Sequence, residues 1–207
     1  MRASLADQAG PGLAIALGAN LPGPAGEPLA TLLAVRPRLA ALLQDWLGHG
    51  ADAAGGCFPA STLRWSPLFR TAPVGGPPGQ PDYLNAVLLL PAAGAASADG
   101  ARVLLQRLLA LEQQFGRERS VRWAPRSLDL DLLWWGDLRC NDPVLELPHP
   151  RWHQRGFVVA PLLALERTQG LPLALPLAPG PGLLVALAAA CDQPLPEPLP
   201  PHPGWPE

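Results

Sequence analysis

Proline sets the limits on what this chain can fold into. Its ring fixes φ and removes a backbone N–H, so it interrupts helices and sheet ladders alike. The 207 residues include 28 prolines, concentrated beyond residue 170. That composition draws residues 171–207 toward extended, loosely packed structure rather than a second globular unit. The earlier part of the chain must therefore carry the core. Hydrophobic residues make up 48% of the sequence and charged residues 15%, enough for one domain to bury a core without disulfides.

The regular elements can be read one after another. Residues 13–17 (LAIAL) form a short apolar run that predicts a buried strand ending in a turn at Gly18-Ala19-Asn20. From Pro28 to Leu47 apolar residues recur at helical spacing, with Pro28 suited to a first turn. Pro37 lies inside that helix and predicts a kink or a break. Residues 48–60 are rich in Gly and Ala and read as a loop insertion. Strand patterns return at 62–70 and 83–90, and the VGGPPGQPD segment between them is either a mobile lid or a plain connection. A second helix is predicted over 99–115, stopped by Gly116. A strand is predicted over 127–135, then helices over about 155–167 and 182–191. The order strand, helix, strand, strand, helix, strand is that of an α+β sandwich of the split βαβ kind. The predicted organisation is a flexible extension at 1–12, a domain over 13–170 and the Pro-rich remainder. That remainder is expected to pack in part and to carry no function.

Several classes of partner are disfavoured. The net charge of −2 gives no electrostatic reason to bind nucleic acid or an anionic membrane. No stretch reaches the roughly 18 apolar residues a membrane helix needs. Cys57, Cys140 and Cys191 are too scattered for a metal or disulfide pattern, and the first residues carry no apolar signal core, so a cytoplasmic protein is expected.

The chemistry is concentrated in Leu128-Asp129-Leu130-Asp131-Leu132. On a strand both aspartates share one face and sit about 6.6 Å apart, with the leucines on the other. Two such carboxylates beside an apolar layer repel each other unless a cation lies between them. Magnesium suits the position, because it takes one or two protein carboxylates and completes its shell with water and phosphates. A solvated acidic edge strand is the alternative. The neighbouring residues favour function. All fifteen cationic side chains are arginines, and Arg117, Arg119, Arg122 and Arg126 run directly into the acidic strand. Guanidinium forks match phosphate oxygens, and phosphoryl transfer is catalysed mainly by positioning and charge stabilisation. Trp123 adds a flat face among them, while His149, Arg155 and Phe157 follow the strand. There is no GxxxxGK[ST] loop and no GxSxG elbow. Two rivals stay open: an Asp-x-Asp-dependent hydrolase or nucleotidyl enzyme acting on another substrate, and a non-catalytic protein that keeps the fold but works through its Pro-rich tail.

Four blocks carry a family resemblance: LGANL at 17–21, RTAPVG…QPDYLNAV from Arg70 to Val87, GRERSVRWAPRSLDLDLLWWGD from Gly116 to Asp137, and LPHPRWHQRGFVVAPL at 147–162. In these the chain resembles the 6-hydroxymethyl-7,8-dihydropterin pyrophosphokinases over roughly residues 13–170. The resemblance implies a ferredoxin-like βαββαβ sandwich with an antiparallel sheet and extra C-terminal elements, and a monomer. It implies transfer of pyrophosphate from ATP to the pterin hydroxymethyl oxygen, releasing AMP in folate biosynthesis, with two magnesium ions. Asp129 and Asp131 would hold the metal, and Arg117 and Arg126 would meet the reacting phosphates. Arg119 and Arg122 would sit in a mobile loop over ATP, which His149 and Arg155 would also contact. The pterin would lie between Trp123 and Phe157, read by Asn85 and lined by Thr71, Ala72, Val74 and Tyr83. Ala124 stands where that family often has glycine, which restricts the loop's turn.

Overall fold

The computed structural model describes residues 12–48, 62–91, 93–118, 124–169, 173, 175–176, 183–191 and 195–206. The predicted extension at 1–12 and insertion at 48–60 lie almost wholly outside these. The elements are β1 (Leu13–Ala19), α1 (Pro28–Gly48), β2 (Arg64–Trp65), β3 (Phe69–Thr71), β4 (Tyr83–Leu90) and α2 (Ala98–Gln114). Then come β5 (Asp129–Trp135), β6 (Cys140–Asp142), β7 (Leu145–Leu147), α3 (Gly156–Gln169) and α4 (Leu183–Ala189), with a 3-10 turn at Trp152–Gln154. Among the described residues no helix is long and apolar enough to cross a membrane.

The sheet runs β2–β4–β1–β5, β3 also pairs with β4, and every pairing is antiparallel. With β2 and β3 counted as one interrupted edge strand, this is the ferredoxin-like βαββαβ order of an α+β fold. The 62–70 pattern predicts a single strand, but Pro67 cannot donate to the ladder. The break is stitched by Ser66, whose N–H donates to the Val87 carbonyl while its Oγ accepts from the Val87 N–H, both at 2.9 Å.

Helices pack on both faces of the sheet, and β1, between β4 and β5, is buried along its whole length. Leu13, Ile15 and Leu17 join Leu88, Leu130 and Leu132 under α1 and α2. Ala14, Ala16, Val87 and Leu133 pack under α3 and α4. Strict alternation would place Trp134 with the leucines of β5. Instead the register steps from Ala14↔Trp134 to Ile15↔Leu132, leaving Leu133 as a bulge residue. Trp134 is thereby turned toward α3, and Trp135 toward Trp46 of α1 with ring centroids 4.8 Å apart.

Pro37 does not break α1, which is continuous from Pro28 to Gly48. Pro37 is exposed, and burial of Leu32, Val35, Leu39 and Leu43 holds the helix on both sides of the lost bond. The hairpin β6–β7 has no counterpart in the sequence reading, since three-residue strands show too little alternation.

The end of α2 bears directly on the site. Gly116 has φ +79°; its N–H donates to the Gln113 carbonyl and the Arg117 N–H to that of Glu112, at 3.0 and 3.1 Å. This is a Schellman close, which needs a residue tolerant of the left-handed region. A Cβ on Gly116 would also lie 2.8 Å from Pro24 Cδ. Gly116→Ala should therefore lower stability by about 1–3 kcal/mol in urea denaturation. Gly79 also has a positive φ, but a Cβ there meets nothing within 4 Å, so Gly79→Ala should cost less. Equal losses would show that the Pro24 contact carries no weight.

Candidate active site

On its second face the sheet is left open beyond α3, at the end where small residues lie on β1. Gly18 pairs with Asn85 of β4 on one side and Asp129 of β5 on the other; Ala16 pairs with Val87 and Asp131. These positions floor a cavity of about 740 Å³. The glycine relieves crowding, since a Cβ on Gly18 would lie 3.0 Å from Asn85 Oδ1.

The acidic end of the cavity is organised by arginines from three elements. Asp129 accepts from Arg117, which follows α2, and from Arg126 in the approach to β5, at 2.5 Å for the latter. Arg117 also donates to Glu112 Oε1 at 2.8 Å and to the Leu128 carbonyl at 3.2 Å. Glu112 is buried, and the same oxygen accepts the Leu130 N–H at 2.8 Å. Asp131 accepts from Arg155, at the start of α3, at 3.1 Å. Burial and then the Asp129 charge push the Asp131 carboxyl above its ordinary pKa, with Arg155 pulling the other way. Burial opposes the charge on Arg117, but Asp129, Glu112 and Asp131 more than offset it and hold its pKa high. The donor set fits magnesium: two carboxylates on one strand face, opening into a cavity large enough for phosphates and water.

The other end is built to meet a flat polar ring. Asn85 is buried, and its Nδ2 donates to Thr71 Oγ1 at 2.7 Å. Phe157 stands in the first turn of α3 with the Arg155 guanidinium 5.4 Å from its ring centroid. Tyr83 lies between the two ends, and burial raises its phenol pKa. Ala72 and Val74 lie on the loop after β3, with Val74 exposed. His149 is anchored by its N–H to the Leu133 carbonyl at 2.7 Å. Its Nδ1 accepts the Arg151 N–H at 3.2 Å, which leaves the ring proton on Nε2.

Thr71, Ala72, Val74, Tyr83, Asn85, Arg117, Arg126, Asp129, Asp131, His149, Arg155 and Phe157 all line this one cavity. Arg119, Arg122 and Trp123 lie outside the described residues. Two residues with no assigned role in the sequence reading are central. Asn20 is buried at the end of β1; its Nδ2 donates to the Pro81 carbonyl at 3.0 Å and its Oδ1 accepts the Arg126 N–H at 2.7 Å. It ties the loop before β4 to the arginine segment. Glu112 is the other, and its signal was a charge on the apolar stripe of α2. A second hollow of about 370 Å³ opens on the outer edge of β5, between α2 and the β6–β7 turn. It shares Arg117, Arg126, Asp129, Asp131 and His149 with the first.

A family model described as 7,8-dihydro-6-hydroxymethylpterin-pyrophosphokinase matches residues 14–167. A 2-amino-4-hydroxy-6-hydroxymethyldihydropteridine pyrophosphokinase of Synechocystis is 46% identical over 87 residues, 42% of each chain. One from Pseudomonas aeruginosa is 40% identical over 107 residues, covering 52% of this chain and 62% of the relative. One from Haemophilus influenzae is 36% identical over 107 residues, covering 52% and 63%. The matched stretches thus span less than two thirds of each of these relatives.

The position of His149 has a consequence for stability. Desolvation, reinforced by Arg155 and Arg151, lowers its pKa from 6.5 to about 4. On acidification the unfolded chain takes up this proton first, so the His149 contribution is complete above pH 6.5 and is lost as pH falls toward 4. Asp131, with a raised pKa, acts in the opposite sense, its contribution falling as pH rises through the folded value. Urea midpoints measured across this range should fall less steeply in His149→Gln than in the parent. Parallel curves would show that the imidazole is not held neutral.

Proposed function

The chain belongs to the 7,8-dihydro-6-hydroxymethylpterin-pyrophosphokinase family, and from that membership and the cavity we propose that it moves the pyrophosphoryl group of ATP to the hydroxymethyl oxygen of 6-hydroxymethyl-7,8-dihydropterin. The products are the pterin diphosphate and AMP, in folate biosynthesis. The observation that carries the reading is the meeting of the two hollows at one set of charges. The larger ends in Asn85 and Phe157, and the smaller runs along the outer edge of β5. A ring in one and a nucleotide in the other would bring their reacting groups together at Asp129 and Asp131. A hydrolase acting on a single substrate has no need of that arrangement.

In this reading the pterin ring lies against Phe157, with Trp123 as the opposing face. Asn85 both donates to and accepts from the ring edge, one of its donors being committed to Thr71. The hydroxymethyl oxygen attacks the β-phosphorus in line. The new O–P bond forms as the bond to the α,β-bridging oxygen breaks; AMP leaves with that oxygen, and the hydroxyl proton passes to solvent water. Asp129 and Asp131 would hold two magnesium ions, which when bound would neutralise phosphate charge. Arg117 and Arg126 stabilise the charge on the transferred group, since a guanidinium fork accepts phosphate as readily as carboxylate. Arg155 offers its charge between Asp131 and the ring. His149, neutral near pH 7, donates from Nε2 to a phosphate oxygen rather than supplying charge. Arg119 and Arg122 are assigned to the closing loop over ATP. The protein acts as a monomer in the cytoplasm, without nucleic acid or membrane as partner.

AMP release from ATP and magnesium, with and without the pterin, tests the assignment. AMP should form only with the pterin present. Asp131→Ala should lower kcat/KM by about a hundredfold or more, and Asn85→Ala should act chiefly on the pterin KM. ADP in place of AMP, or AMP formed equally without the pterin, would sink the proposal.

A further inference from the structure

The segment 195–206 lies beyond the residues matched by the family model, and its composition gives no reason to assign it a role. Its contacts are at odds with that silence. Pro198 forms a bridge with Phe69 of β3, and the Leu199 N–H donates to the Leu68 carbonyl at 2.7 Å. Phe69 in turn pairs with Asn85, Asn85 with Gly18, and Gly18 with Asp129. The segment therefore extends the row of the sheet that carries the ring-reading amide and the first aspartate. Trp205 is 7% exposed; its Nε1 donates to the Ser66 carbonyl at 2.8 Å, in the break between β2 and β3. Its ring meets Trp65 edge-on at 5.6 Å. At the other end of the segment, Leu195 and Pro196 lie over Gly156, where a Cβ would come within 3.7 and 3.9 Å of them. Gly156 sits between Arg155 and Phe157.

We propose that residues 195–206 brace the ring end of the cavity, fixing β3 against the first turn of α3 and so Thr71 and Asn85 against Phe157. The two walls come from elements remote in sequence. The described residues contain direct packing between α3 and β3, and the segment adds a second tie along the open edge. Trp205 is its anchor: an indole that fills a core position and satisfies a carbonyl that the interrupted strand leaves without a ladder partner. An edge strand of three residues has few bonds of its own, so an outer partner limits its movement. Trp205 is not among the residues lining the cavity; it acts through β3, as a positioning residue.

The activity arm of the test rests on the pterin reading; a second arm does not. In the full chain, Trp205→Ala is compared with Trp205→Phe, which keeps an aromatic ring but loses the donor. Trp205→Ala should raise the pterin KM about five- to tenfold with the ATP KM within about twofold, and Trp205→Phe should lie between it and the parent. Amide exchange over Leu68–Thr71 should quicken in the same order, whether or not the chain turns over pterin. Should Trp205→Ala not fold, the Trp205→Phe pair of readouts decides. A folded variant with both KM values unchanged, or both raised alike, overturns the brace, as does unchanged exchange at β3. A parent chain without pterin-dependent AMP removes the pterin reading instead, and the exchange rates at β3 then decide alone for or against the brace.

Discussion

The charge balance around Asp129 is the constraint on which the site and much of the fold depend. Three carboxylates, Glu112, Asp129 and Asp131, are held at the boundary of the core by Arg117, Arg126 and Arg155. Removing one partner of a buried pair leaves an uncompensated charge, at a cost of about 3–5 kcal/mol. Each arginine comes from a different place: the close of α2, the approach to β5 and the start of α3. The same ion pairs that prepare a phosphate site therefore pin the end of α2 and the start of α3 to one strand. Gly116 contributes by turning the chain so that Arg117 passes back beside Glu112. A carboxylate in the last turn of a helix opposes the macrodipole; at Glu112 Arg117 and the Leu130 N–H converge on it and offset that cost.

What could be read from the sequence follows from how local each determinant is. Asp129 and Asp131 share a face because strand alternation is a property of neighbouring residues, and no partner was needed to see it. Trp134 and Trp135 could not be placed that way. Their facing is set by a bulge against β1, which no pattern within β5 records. At Pro37 the break, one of the two outcomes the local rule allowed, was overridden by apolar burial on either side. Glu112 was legible in principle, as a charge on the stripe of Leu104, Leu108 and Leu111. Asn20 was not. Its two partners, Pro81 and Arg126, lie 61 and 106 residues away, and a turn following a strand gives an asparagine an ordinary reason to be there.

The cavity exists because β1 gives up side-chain volume where it crosses between the functional strands. Ala14, Ala16 and Gly18 alternate along its second face. Ala14 is covered by the cluster around α3 and Trp134, Ala16 lies at its edge and reaches the cavity floor, and Gly18 lies beyond it. That cluster compensates with bulk: Trp134 meets Trp152 at 5.1 Å, closing the core just short of the cavity. The boundary between core and site is thus drawn by residue size along a single strand. It also explains the burial of Asn85. The side chain lies beside a glycine, and a Cβ there would press on its amide oxygen at 3.0 Å.

The walls need separate restraints, because loops rather than strands carry them. Asn20 links the loop ahead of β4 to the segment bearing Arg126, so the ring side and the phosphate side share one buried amide as an anchor. A buried side chain that uses both its donor and its acceptor in this way is costly to replace, since either partner is then left unsatisfied. At the opposite edge the restraint comes from outside the matched domain, through Trp205 and the bridge at Pro198. The prolines of this segment suit that task. They hold an extended shape at little entropic cost, and in an outermost strand their missing N–H groups can face solvent, where no ladder needs them. The composition that argued against a second domain is the composition an edge-lying brace requires.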